Sequence, residues 1–398
     1  MLYPSMDPNE RFRARRSQER RRKRFRRAAA FAVALAVVIA LAAGMTLAGK
    51  SGGERGAATP EAAGSDPTPA PAPATAARPR PLPVEVRGVH VTGALASLPG
   101  KLEEYAGYTR YGLNTIELDV KDEGGIVNFR PSSVPLAQRI GASRQHFKPR
   151  EVARLARRHG VYLIGRVVVF QDPVLARARP DLAIRTPEGG VWQTSGGLAW
   201  VNPYDRRVWE YAVAIAEAAG RAGFDEIMFD YVRFPSDGDL SRAVYPGRTT
   251  QKRKQLITDF VAYASRRLEP LGVRVSTALF GLSASRDMGL GQAPKLIAEH
   301  VDTISPMAYP ALYNDGELGI ESPSTEPGET VFRTLGDFRR AVGSSGPQLV
   351  PWIQDWNYSP REVRQQIEAV RLMGAKGYLL WNAAGRYTTS ALAAPPTG

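Results

Sequence analysis

The chain has 398 residues, 43% hydrophobic and 23% charged, which is apolar material for one large core or two medium ones. It has no cysteine, and this excludes disulfides, thiolate metal sites and lipid attachment through an N-terminal cysteine. The net charge of +14 is concentrated in residues 1–27, where ten Arg and one Lys face three acids; no comparable basic run recurs, so no nucleic-acid partner is expected.

This basic tail, 1–27, is predicted to lie in the cytoplasm. It runs into an uncharged apolar stretch at 28–48, AAAFAVALAVVIALAAGMTLA. At about 1.5 Å per residue, a helix of that length crosses the hydrocarbon core of a bilayer. Positive charge stays on the cytoplasmic side, so everything after Lys50 is predicted to be outside the cell membrane. The alternative is a cleaved signal peptide and a secreted product. The apolar stretch is longer than a typical signal core and the basic region before it is long, which favours a single-pass anchor. Residues 49–83, rich in Gly, Ala, Pro and Thr, are predicted to be a disordered, extended linker.

From Val84 to about residue 390, short β-branched runs alternate with amphipathic helical stretches. The strand candidates are 85–93, 114–122, 162–170, 225–234, 274–281, 303–310, 348–356 and 377–383. Helices are predicted from Pro149 to Gly160, over PYDRRVWEYAVAIAEAAGRAG with Val208, Ala212, Ile215 and Ala219 on one stripe, and from Ser359. In the last of these Ser359 is an N-cap, Pro360 suits the first turn and Glu362 completes a capping box; Val363, Ile367 and Val370 share a face. Eight strand–helix units predict an α/β protein with a closed (β/α)8 TIM barrel over 84–390 and a short tail at 391–398. An open doubly wound sheet would usually carry a Gly-rich phosphate turn after its first strand, and VTGALASLPGK lacks one.

The active site of such a barrel sits at the C-terminal ends of its strands. The polar residues there are Glu117, Asp119, Lys121 and Asp122, then Arg166 and Asp172, Asp230 and Arg233, Met307 and Tyr309, Gln354 and Asp355, and Trp381 and Asn382. Strand side chains alternate, so Glu117, Asp119 and Lys121 are predicted to face the mouth while Ile116, Leu118 and Val120 pack under helices. Several carboxylates in one cleft suit glycosidic bond cleavage, which needs one protonated and one ionised acid. The bland alternative is an ion pair, such as Asp230 with Arg233 or Arg166. Trp352, Trp356 and Trp381, together with Trp192 and Trp200 in the long loop 171–202, offer flat faces for sugar rings; Trp352 and Trp381 serve equally well as core. His90, His146, His159 and His300 show no metal-ligand spacing, although His90 could line the cleft, and G-x-S-x-G is absent, so neither metal nor cofactor is expected.

The stretches NTIELDVKDEGG, GRVVVFQD, WVNPYD, GFDEIMFDYVRFP, SPMAYP, PWIQDW and VRQQIEAVRLMGAKGYLLWNAAGRY stand in order across nearly the whole domain. Over about Val86 to Thr389 the chain resembles the bacterial "putative glycoside hydrolase" barrel family, first catalogued as a domain of unknown function. The resemblance implies a TIM barrel with a hydrolase-like site and Asp230 of DYVRFP as a catalytic carboxylate. GFDEIMFDYV is also distantly similar to the GFDGIDIDWE motif of family 18 chitinases. There Asp225 and Asp230 match acidic positions, but the catalytic Glu falls on Val232, so substrate-assisted chemistry is not expected.

These readings combine into a membrane-anchored, extracytoplasmic glycoside hydrolase, expected to be a monomer, acting on an envelope or extracellular polysaccharide. Asp230 is nucleophile or base, and Asp119 or Asp355 is the general acid. Glu117, Lys121, Arg166, Asp172, Tyr231, Arg233, Tyr309, Trp352, Trp356, Trp381 and Asn382 bind substrate. The rival reading is a non-catalytic, glycan-binding scaffold with its acids locked in ion pairs.

Overall fold

The computed structural model describes residues 79–392. The basic tail, the apolar segment 28–48, nearly all of the linker and most of the C-terminal tail lie outside the described residues. Among the described residues no helix is long and apolar enough to cross a membrane.

Eight parallel strands close on themselves. They are β1 (Val86–Val91), β2 (Thr115–Lys121), β3 (Tyr162–Val168), β4 (Glu226–Asp230), β5 (Arg274–Phe280), β6 (Thr303–Ala308), β7 in two pieces (Gln348–Leu349 and Trp352–Gln354) and β8 (Gly377–Trp381). Each lies inside a run that alternation marked as a strand. β1 pairs with both β2 and β8, and β5 pairs with β6, so no edge is left open and the open-sheet alternative is excluded. β7 is interrupted at Pro351, which has no N–H to give to the ladder; its carbonyl still accepts from Leu379 N at 2.9 Å. At the seam, Gly377 sits opposite Val86 with φ 140°, and an added Cβ would fall 2.1 Å from the Val86 oxygen, so only glycine closes this joint.

The longer helices are α1 (Pro149–Arg158), α2 (Arg206–Ala222), α3 (Arg253–Leu268), α4 (Pro327–Val342) and α5 (Pro360–Leu372). The stripe Val208, Ala212, Ile215 and Ala219 of α2 is buried, as are Val363, Ile367 and Val370 of α5. The capping box at Ser359 and Glu362 forms as its spacing requires. Loop 171–202 is a folded cover rather than an open cleft wall. It holds a short helix, Pro173–Ala178, and three antiparallel bridges, and both its tryptophans are buried. The expectation that Trp192 and Trp200 offer free faces is therefore corrected: Trp192 Nε1 donates to the Asp239 oxygen, and Trp200 packs on Tyr231.

The floor of the barrel, at the N-terminal ends of the strands, is also polar. Arg80 donates to the Gly160 and Val161 oxygens and to Asp225 Oδ2, while its own carbonyl accepts from Arg274. Asp225 Oδ2 also accepts from Leu163 N. Asp225 and Asp230 of the GFDEIMFD motif thus stand at opposite ends of β4, and Asp225 is a structural tie. Beside it Glu226 is fully buried, and burial pushes its carboxyl up to about 7 against the opposing effect of the Ser276 and Tyr162 hydroxyls. A raised value means that the folded state holds the proton. The stabilisation is complete below the ordinary carboxylate range and is lost as pH rises through about 7. Glu226→Gln is therefore expected to be more stable than the native chain at pH above about 7, by up to about 3 kcal/mol, with a flatter dependence of Tm on pH. Thermal unfolding scanned across pH checks this; unchanged curves would contradict it.

Candidate active site

The strand ends deliver their side chains to one interior chamber. β1 brings His90, β2 brings Glu117 and Asp119, β3 brings Arg166 and β4 brings Asp230. That these point inward follows from contacts across the barrel. The Arg166 guanidinium lies 5.5 Å from the Trp352 ring of β7, and the His90 ring lies 5.6 Å from Trp352 and 6.3 Å from Trp381 of β8.

Arg166 is the hub. Its Nη1 donates to Asp119 Oδ1 at 2.6 Å, while Nε and Nη2 both donate to Asp230 Oδ2, at 2.9 and 2.7 Å. A third acid, Glu123, reaches Nη1 at 3.4 Å from the rim. Asp230 Oδ1 accepts from Tyr231 N at 2.6 Å. Tyr231 adopts φ 52°, the left-handed region that side chains usually avoid, and so turns the chain sharply after the carboxylate. On the other flank His90 Nδ1 is hydrogen-bonded to Glu117 Oε2, and His90 Nε2 lies 3.6 Å from Asp119 Oδ2. The result is one continuous row: Glu117, His90, Asp119, Arg166, Asp230.

Every member of this row is at most 5% exposed. Buried charge is tolerated only when paired, and each acid here has a basic neighbour. Burial pushes the Asp119 carboxyl up to about 7, against the pull of Arg166 and His90. Burial opposes charge on His90, but the fields of Glu117 and Asp119 outweigh it, so its net shift is upward. Three polar atoms in the chamber have no hydrogen-bond partner among the described residues: Glu117 Oε1, Tyr309 Oη and Trp352 Nε1. Burial and the charge of Asp230 raise the Tyr309 hydroxyl well above its ordinary range, so it stays a donor.

Above the row stands an aromatic wall. Trp356 and Trp381 meet edge to face at 5.1 Å, and Tyr309 lies 5.3 and 5.6 Å from them. Trp356, Trp381 and Asn382 are part-exposed and form the rim with Glu123.

The structure thus brings Glu117, Asp119, Arg166, Asp230, Tyr309 and Trp352 together, with Tyr231 contributing through its backbone. Other candidates are placed differently. Lys121 and Asp172 are buried against each other at 3.0 Å, where Lys121 holds the Val168 oxygen and Asp172 caps the helix Pro173–Ala178. Arg233 is buried among Trp200, Tyr231 and Phe280, and it is Arg166, not Arg233, that pairs with Asp230. Both oxygens of Asp355 are taken by Thr388, at 2.6 and 2.7 Å, and burial raises its carboxyl against those bonds. The acids were expected to face an open mouth, and here the structure corrects the sequence: Asp119, Asp230 and Asp355 are between 1% and 4% exposed. Three surface clefts of about 530 to 550 Å³ lie elsewhere on the barrel, and none is lined by these residues.

His90, Glu117 and Asp119 have donor atoms within 4.8 Å of one another, a set that is compatible in type with a metal ion. The geometry fits a hydrogen-bonded relay better. The two carboxylates approach opposite nitrogens of the ring, and the Arg166 charge beside Asp119 opposes a divalent cation. Sequence reasoning did not reach the bridging role of His90, nor Glu123, nor Tyr387, whose hydroxyl donates to the His90 oxygen. Glu123 adjoins the NTIELDVKD run, while nothing in the pattern marks Tyr387.

A family model described as "Putative glycosyl hydrolase domain" matches residues 88–387. No curated protein matches the chain. Among solved structures, a hypothetical protein from Ruminiclostridium thermocellum ATCC 27405 is 32% identical over 48% of this chain and 96% of its own, with TM-score 0.43. The PgaB (BpsB) glycoside hydrolase domain from Bordetella bronchiseptica is 15% identical over 76% of this chain and 95% of its own, with TM-score 0.56, a likeness of fold. The catalytic domain of a beta-amylase from Paenibacillus polymyxa is 11% identical over 79% and 96%, with TM-score 0.49.

Proposed function

We infer that this barrel hydrolyses O-glycosidic bonds, from the premise that the chain belongs to the glycosyl hydrolase family whose model it matches over most of its length. The observation that carries the mechanism is the grip of one guanidinium on two carboxylates, Asp119 and Asp230, at the C-terminal end of the barrel. Asp119, pushed up to about 7, keeps a proton near neutrality and gives it to the leaving glycosidic oxygen. Asp230, surrounded by donors, attacks the anomeric carbon or takes a proton from the attacking water. Arg166 positions both. Glu117 Oε1, Tyr309 Oη and Trp352 Nε1 offer the hydrogen bonds that a sugar's hydroxyls would complete, and the Trp356 and Trp381 faces take its ring.

An acid that must be protonated stops working once it ionises. Hydrolysis by the native chain is therefore expected to fall about tenfold per pH unit above about pH 7. Asp119→Asn is expected to lose hydrolysis of an ordinary glycan yet still release nitrophenol from a nitrophenyl glycoside in its first turnover, because that leaving group needs no proton. Release of reducing ends from a panel of glycans, followed across pH, is the test. First-turnover nitrophenol release reduced as much as glycan cleavage would remove Asp119 from the acid role.

The substrate we propose is an envelope or extracellular polysaccharide, with residues 28–48 holding the barrel outside the cell membrane. Support comes from the apolar run and the Arg-rich run before it. Protease added to intact cells should remove the barrel from the membrane fraction; barrel found free in the medium would mean that the segment is cleaved.

A second reading is favoured by one observation. The acids are sealed and ion-paired on Arg166, as a glycan-binding barrel without turnover would have them. Binding without release of reducing ends across the whole panel would decide for it.

A further inference from the structure

Helix α1 crosses the flank of the barrel, and a cleft lies on each side of it. One, of about 540 Å³, runs between α1, the end of α2 and the loop around Phe129. The other, of about 530 Å³, runs between α1 and the segment 96–103. Both are lined by Lys148, Glu151 and Arg154, so the two form one track over the helix.

The charge of this track is uneven. The first cleft is lined by Arg130, Lys148, Arg150, Arg154 and Arg221, against the single carboxylate of Glu151. Glu151 is engaged by Lys148, and Arg221 is held by Glu217. Arg130, Arg150 and Arg154 are exposed and have no carboxylate partner among the described residues, and Arg158 continues the same helix face into the second cleft, where Glu103 adds one carboxylate beside Glu151. Arg150, Arg154 and Arg158 follow one another at a spacing of four. Like charges at that spacing repel and weaken a helix, whereas on α4 the same spacing sets Arg333 beside an acid, Glu329. The N-terminus of α1 opens on the same cleft with no side-chain cap, which adds positive potential. The floor is apolar, made by Phe129, Pro131, Ala218 and Ala222.

We propose that this track is a secondary binding site for an anionic glycan, a chain bearing carboxylates or phosphates, which lies across α1 away from the catalytic chamber. A concave, apolar floor rimmed by unpaired arginines suits a flexible polymer with sugar faces and charged substituents. A flat bilayer surface would not enter two clefts separated by a helix. The choice of a glycan rests on the proposed glycosidase function; the positive track does not.

The test uses the full chain reconstituted in phosphatidylcholine nanodiscs, titrated with polygalacturonate, with neutral pullulan and with phosphatidylglycerol vesicles. Polygalacturonate should bind and pullulan should not, and raising salt from about 50 to about 200 mM should weaken binding at least tenfold, since polyanion binding is driven by counterion release. The triple variant Arg130→Gln, Arg150→Gln, Arg154→Gln should bind polygalacturonate at least about tenfold more weakly, with a shallower salt dependence and a Tm no lower than that of the native chain. Its hydrolysis of short neutral oligosaccharides should equal that of the native chain. Undiminished polygalacturonate binding in the variant would overturn the proposal, and so would a loss confined to the vesicles. Binding requires no turnover, so an inactive enzyme that still binds through the track would sink the glycosidase reading alone.

Discussion

Asp230→Asn is expected to lower kcat at least about a thousandfold on any glycan the native barrel cleaves. The substitution keeps the shape of the side chain and an oxygen for Arg166, which also retains Asp119, so the chamber should remain assembled. What disappears is the negative charge. An amide neither attacks an anomeric carbon nor takes a proton from water, the two roles proposed for Asp230. Binding of an oligosaccharide should survive, because the aromatic wall and the unpartnered donors are untouched. A variant that cleaves within tenfold of the native rate would remove Asp230 from the mechanism. Equal, null activity in both chains with intact binding is the outcome expected of a scaffold.

Arg166→Met is expected to be the most damaging single change to stability, at about 3 to 5 kcal/mol, because it strands charge rather than merely removing a contact. Asp119 and Asp230 are at most 2% exposed, and both take their strongest donors from this guanidinium. Without it each must stay charged where bulk water does not reach it or take up a proton. The loss should therefore shrink as pH falls and Asp119, whose carboxyl burial already pushes up, is neutralised, which urea unfolding at pH about 5 and about 8 would resolve. Adding Asp119→Asn and Asp230→Asn to Arg166→Met should recover much of the stability, since neutral groups of the same shape need no counter-charge. A loss under 1 kcal/mol at high pH would mean that water already enters the chamber and screens these groups.

The barrel was readable because its physical cause is local. Runs such as VRGVHV and TIELDVK pair β-branched residues with alternation, and α5 carries its cap, first-turn proline and buried stripe in consecutive residues. The inward direction of Glu117, Asp119 and Asp230 was equally legible, since alternation fixes a face. How deep that face lies was not. Whether an inward acid meets water or an arginine depends on β3 standing next to both β2 and β4, and on which of two nearby arginines has its stem on the same side. Arg166 does, and Arg233 sits past the sharp turn at Tyr231, among aromatic rings. The role of His90 was hidden for the same reason, because a lone histidine ending β1 gains meaning only from Glu117 one strand away. Loop 171–202 looked like a cleft wall by its length, but its bridges and buried tryptophans arise from side-chain packing that no period in the sequence records.

The clamp that Arg80 forms also bears on mechanics. It fastens the incoming chain to the residues leading into β3 and β4 and to the first residue of β5, at the far end of those strands from Asp119 and Asp230. A pull or twist arriving along the polypeptide from upstream is expected to be taken up by that knot and shared among three strands. Barrels immobilised on a surface through their N-termini should accordingly turn over substrate at the rate they show when free in solution, and a slower rate on the surface would show that the knot gives way.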